Sequence, residues 1–244
     1  MRRGFTLAEL LVTLAVMGVL VLFALRALMA SASLERGQRP LLALSEEASL
    51  LASVLSRELF VAGYGLTSGT ALSLTSGGSS EDTLSFRYAC ESGMEGLCFS
   101  QGVNRVKGVT YRVNSGVLQG GFCLDPDPQG FPACNNGLPT NLGQALEARL
   151  EAFRVAYRSG GNWTRGNLTV SMGASGASPK VEALAIYFRF RGEGRGPASF
   201  TPGGSVAWRD GLSLSTFGLG DAPLTDGAPR AERLVVVLTP NLNR

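Results

Sequence analysis

The chain has 244 residues with an ordinary apolar content, enough for one sizeable domain or two small ones. Its 22 Lys and Arg against 19 Asp and Glu give a formal charge of +3. Two of the cations, Arg2 and Arg3, stand at the extreme N-terminus, so net charge gives no argument for nucleic acid. His is absent, which removes the commonest acid–base residue. The expectation is a non-enzyme that needs no cofactor and no metal.

Met1-Arg2-Arg3-Gly4 is a short basic head. From Phe5 to Leu25 the chain is apolar except for Thr6, Thr13 and one charge, Glu9. At about 1.5 Å per residue that run makes a helix roughly 30 Å long, the thickness of a bilayer core. Arg2 and Arg3 hold its start in the cytoplasm by the positive-inside rule, which sends the bulk of the chain across the membrane. A secretory signal would have a shorter apolar core, a small-x-small cleavage site and no carboxylate. Glu9 costs about 2.5 to 3.5 kcal/mol near the centre of a spanning helix, so it calls for a partner. The alternative is that it lies in the first turns, favoured by the helix dipole, and snorkels to the headgroups.

The string Arg3-Gly4-Phe5-Thr6-Leu7-Ala8-Glu9-Leu10-Leu11-Val12 resembles the prepilin leader and cleavage motif of type IV pilins and type II secretion pseudopilins. Ala8 departs from the usual Ile or Val of that motif without touching the cleavage residues. The resemblance implies an α+β, pilin-like fold. It also implies that a prepilin peptidase cuts between Gly4 and Phe5 and that the new amine of Phe5 is methylated. Glu9 would then neutralise the Phe5 amine of a neighbouring subunit. The implied partners are other major and minor pilins, the peptidase, the inner-membrane assembly platform and, through residues 5–25, the membrane. The precursor would sit in a bacterial inner membrane with its head in the periplasm, and the mature chain in a pilus or pseudopilus.

Residues 1–4 are thus read as leader, 5–65 as the assembly helix and 66–244 as the head. Gly37 and Pro40 predict an interruption, because Pro removes a backbone donor and kinks or restarts a helix. Between Leu41 and Val61, Leu44, Ala48, Leu51, Leu55 and Leu59 fall at helical spacing, with Glu46, Glu47, Ser49, Ser53 and Arg57 elsewhere. This predicts an amphipathic helix with one buried face.

Beyond Gly63-Tyr64-Gly65, Ser, Thr and Gly turns separate short β-branched and aromatic runs. Strands are predicted at 83–88, 109–113, 117–122, 150–157, 181–191 and 233–239, forming one antiparallel sheet against the C-terminal half of the helix. Ser56 to Gly65, Val181 to Arg191 and Leu238 to Arg244 resemble the type IV pilus-assembly protein W group of minor pilins. That likeness implies a low-abundance subunit that primes or caps a filament. A J-like pseudopilin of type II secretion shares the plan.

Cys90, Cys98, Cys123 and Cys134 lie in the polar middle, and an even number beyond a membrane segment points to disulfides in an oxidising compartment. Three pairings are open, of which Cys90 with Cys98 and Cys123 with Cys134 is the simplest. Zinc is the rival, opposed by wide spacings and the lack of His. Asp125 and Asp127 alternate with prolines as a turn would, Gly192 to Gly196 lacks a phosphate loop's spacing, and Asn162 and Asn167 begin glycosylation-type triplets with no expected consequence. Along 181–191, Leu184, Ile186, Phe188 and Phe190 alternate with Tyr187, Arg189 and Arg191. The second set predicts a solvated face or subunit contact, or a grip on DNA during natural competence.

Overall fold

The computed structural model describes residues 7–78, 81–91, 105–124, 140–141, 149–173, 179–193, 199–203, 213–220 and 222–243. Gly4, Phe5, Cys98, Cys134, Asp125 and Asp127 lie outside them, as do the side chains of Glu9 and Cys123.

Helix α1 runs from Leu7 to Phe60, 54 residues and roughly 80 Å. It passes through Gly37 and Pro40 as one helix, which corrects the predicted interruption. Proline removes a single i→i−4 bond, and the bonds on either side keep the segment in register. In the second half, Leu44, Ala48, Leu51, Leu55 and Leu59 are buried, the same stripe the spacing predicts. Burying each leucine side chain contributes about 1.5 to 3 kcal/mol. Off that stripe, Ser49, Ser53 and Ser56 donate back to the carbonyls of Ser45, Leu50 and Ala52, and the hydroxyls of Ser45 and Ser49 accept from Arg233 of the head at 2.9 and 3.4 Å.

Among the described residues ten strands follow: β1 Gly69–Thr75, β2 Thr83–Cys90, β3 Arg105–Asn114, β4 Val117–Leu124, β5 Thr140–Asn141, β6 Arg149–Ser159, β7 Asn162–Thr164, β8 Leu168–Met172, β9 Ala183–Arg191 and β10 Arg230–Leu238. They form two sheets rather than the single sheet predicted, one ordered β5-β4-β3-β2-β1-β8 and the other β10-β9-β6-β7. Every strand pair is antiparallel. Alternation tells which way a side chain points, but it cannot say which sheet a strand joins.

Asp82 ties the two sheets together. Its backbone N–H donates to Phe153 O at 2.9 Å, and its buried carboxylate accepts from Val155 N at 2.8 Å and from Arg165 at 2.9 Å. A carboxylate so placed is satisfied by a backbone amide and a cation, which is what its burial requires.

Strand β9 is the centre of the head. Leu184, Ile186, Phe188 and Phe190 face the main core with α1, while Ala185 and Tyr187 join a second cluster with Ala152, Ala156, Leu214, Phe217 and Leu219. The small sheet is therefore a middle layer, with the 3-10 helix Leu214–Phe217 on its far side.

Candidate functional site

The two halves of α1 differ in what covers them. Between Leu11 and Met29, thirteen large apolar side chains are each 48% to 70% exposed. Isolated exposed leucines are ordinary, but a patch of this length on one helix marks a surface meant for lipid or for another protein. Among the described residues no helix is long and apolar enough to cross a membrane. The apolar run of the sequence begins at Phe5, ahead of the described residues. Glu9 falls in the first described turn of α1, at the dipole's positive end.

Where α1 meets the head, a turn at 61–65 uses two glycines with positive φ, Gly63 at 80° and Gly65 at 65°. Gly63 N–H donates to Arg87 O and Ala89 N–H to Tyr64 O, both at 2.8 Å, so the turn is bonded into β2. A Cβ on Gly63 would stand 2.6 Å from Leu242 Cδ2 and would force that side chain to shift, while the φ of 80° itself favours glycine at the joint. Asn241 Nδ2 adds a bond to Phe60 O at 3.3 Å.

Beneath the joint lies a polar cluster that the sequence reading missed. Lys107 Nζ, buried to 1% side-chain exposure, stands 3.5 Å from Glu58 Oε1 and over the rings of Tyr88 and Phe122 at 5.6 and 5.1 Å. Tyr111 donates its hydroxyl to Glu58 Oε2. Burial pushes the Lys107 pKa down, against the pull of Glu58. Burial and the Glu58 charge push the Tyr88 and Tyr111 hydroxyls up. The signal was that one of only two lysines in the chain stands inside a Val- and Gly-rich strand.

The predicted stripe of Tyr187, Arg189 and Arg191 is not an open face, and this corrects its reading as a ligand contact. Tyr187 is fully buried and Arg189 is 4% exposed. Tyr187 donates to Glu232 Oε2 at 2.8 Å, and Arg189 Nε donates to Glu151 Oε2 at 3.1 Å. Arg191, half exposed, pairs with Glu151 and Asp226. Arg230 grips the same two carboxylates, at 2.7 Å from Glu151. Burial raises the Glu151 carboxyl, but Arg230 and Arg189 outweigh it and hold the pKa below the usual value. The chain's own carboxylates thus occupy these guanidiniums, and the layer at 214–219 covers the tyrosine. The sequence missed this because Glu151, Asp226 and Glu232 are distant along the chain.

Cys90, at the end of β2 and 1% exposed, is disulfide-bonded to a cysteine that no described residue supplies. Cys90 lies opposite Arg105, and Cys123 lies opposite Gly108 on the other side of β3. Two strand spacings separate them, about 10 Å before the offset along the strands is added. A disulfide needs Cα atoms within about 7 Å, so this pairing is excluded. Cys90 is left with Cys98 or Cys134.

A long helix, bare and apolar in its first half and forming the spine of an antiparallel head in its second, is the architecture of a type IV pilin. Residues 43–242 match the family described as type IV pilin Tt1219, and residues 1–25 match the prokaryotic N-terminal methylation motif. The type IV-like pilin TTHA1219 from Thermus thermophilus superposes with a TM-score of 0.68 at 42% sequence identity, over 82% of this chain and 98% of that one. No curated protein matches the chain. The chain belongs to the Tt1219-like family of type IV pilins. It is a structural subunit rather than an enzyme, made as a membrane-anchored precursor, processed by a peptidase and assembled with other pilins.

Proposed function

We propose that this chain is a low-abundance type IV pilin that primes or caps a filament. The bare apolar half of α1 carries the reading: its own head leaves it uncovered, so it must be buried first by lipid and then by neighbouring helices. The head supports the minor role. Two sheets and a further layer make it bulky, and a bulky head fits at a tip more readily than in every turn of a helical array. The likeness to the assembly protein W group at Ser56 to Gly65 falls on the joint between helix and β2, where two glycines turn the chain.

In this reading the peptidase cuts between Gly4 and Phe5, the Phe5 amine is methylated, and the head stands in the periplasm until the subunit is extracted. Glu9 meets the Phe5 amine of a neighbour. Glu9→Ala should leave cleavage and membrane insertion intact while lowering the amount found in sheared filaments. Undiminished incorporation would return Glu9 to the snorkelling role. Deleting the gene should strongly reduce filament number; a deletion that spares pili but stops protein secretion would mark a J-like pseudopilin instead.

A further inference from the structure

Strand β10 is the edge of its sheet. Gly192 N–H donates to Pro229 O and Thr239 N–H donates to Glu182 O, so residues 229 and 239 exchange bonds with the β9 side. The register steps one for one from Arg230 opposite Arg191 to Leu238 opposite Ala183. Alternate residues of an antiparallel strand therefore turn away, and Leu234, Val236 and Leu238 present their N–H and C=O outward. No described residue bonds these groups.

The same stretch, Leu234-Val235-Val236-Val237-Leu238, has none of the charges or prolines that blunt an edge. Val236 is 44% exposed and Leu238 66%. They line a groove whose other wall is α1, with Ser53, Ser56, Arg57 and Phe60. The groove shares α1 with the assembly surface, and beyond the bare half Leu42, Leu50, Val54 and Phe60 add exposed apolar area along that helix.

We propose that the β10 edge and this groove receive an extended apolar strand from the head of a neighbouring pilin, which adds itself to the small sheet. The idea rests on the chain entering a filament. Once α1 helices pack side by side, neighbouring heads are tethered at high effective concentration, and an edge too weak to bind in free solution becomes occupied. Arg57, exposed on the groove wall and without an ion-pair partner among the described residues, favours a strand carrying an acidic residue at its end.

The test uses the full-length chain in cells with the photocrosslinker benzoylphenylalanine at position 238, at 22 on bare α1, or at 112 on the other sheet. Irradiation at 238 should give an adduct with a second pilin, recognised by a leader-free, methylated N-terminal peptide. Its yield should exceed that at 112 about tenfold and vanish when Gly4 cleavage is blocked. Val236→Lys with Leu238→Lys, checked for unchanged melting, should cut filament incorporation about tenfold, as loss of an interface anchor does. Adducts at 22 with none at 238 would overturn the groove while leaving filament assembly standing. No adduct at either position would overturn both, and adducts joining 238 to 238 of a second copy would replace the proposal with a twofold self-contact.

Discussion

The first and second halves of α1 are both apolar, yet they are held to different standards. In the second half the buried side chains recur at 44, 48, 51, 55 and 59, and the intervening positions are free to be Ser or Glu. In the first half apolar residues continue all round the helix, because no single face is assigned to a partner. One half is specified by a surface inside the molecule, the other by surroundings it has yet to meet. A stripe thus reports a fixed partner, and an unbroken apolar run reports an environment.

The sharpest break in that comparison is at the leader. Replacing Gly4 by a bulky residue should block maturation outright, leaving Met1 on a membrane-bound chain and none in filaments, while the head folds as before. Mass spectrometry of the N-terminal peptide reads this, and Met1 retained in assembled filaments would remove the premise.

Next in size is charge reversal inside the head. Arg189→Glu would set a carboxylate against Glu151 in a buried site, at a cost of about 3 to 5 kcal/mol, read as lost thermal stability of the detergent-solubilised protein. A variant as stable as the parent would mean that the stripe is open to water after all.

Leu55→Ala should cost about 2 to 5 kcal/mol in the same assay, and Leu22→Ala under about 0.5, although both remove one leucine from one helix. Equal costs would erase the distinction between the halves.

The smallest effect is on pH. Tyr88, Tyr111 and Tyr187 are held above their ordinary value by burial and by Glu58 or Glu232. The folded head keeps these protons when the unfolded chain, titrating near pH 10, has lost them, so stability is full below that pH and falls above it. Lys107, depressed by burial, works the other way below about pH 10.4, where the folded head has shed a proton that the unfolded chain still holds, so its gain precedes the tyrosines' loss. A slope of about 1.4 kcal/mol per pH unit for each uncompensated group is the expected scale. Denaturant curves at pH 9 and 11 that coincide would show the hydroxyls to be solvated.

How much of this was legible in the sequence follows from the range of the forces. The leader motif, the stripe of α1 and the six principal strands were readable because each is a local pattern. Strands β1 and β8 were missed because they are short and interrupted by Ser or Gly, and they exist by pairing, β1 with β2 and β8 with β1. The stripe of Tyr187 and Arg189 had the correct alternation, but the layer above it comes from residues 214–219, which no periodicity connects to β9. Pro40 misled because a long helix absorbs one missing bond.

The helix joint brings together residues from the two ends of the head. The turn at Gly63 is bonded to nearby β2, but Leu242 covers it and the Asn241 bond to Phe60 spans 181 residues. Contacts of such span form late, since the whole intervening loop must be drawn in. During synthesis the assembly helix is made well before the segment near residue 242. Until then Leu59 and its neighbours are spliced to an unfinished domain. A chain truncated before Leu242 should therefore keep its helix and its bonds to β2 but leave the joint uncovered.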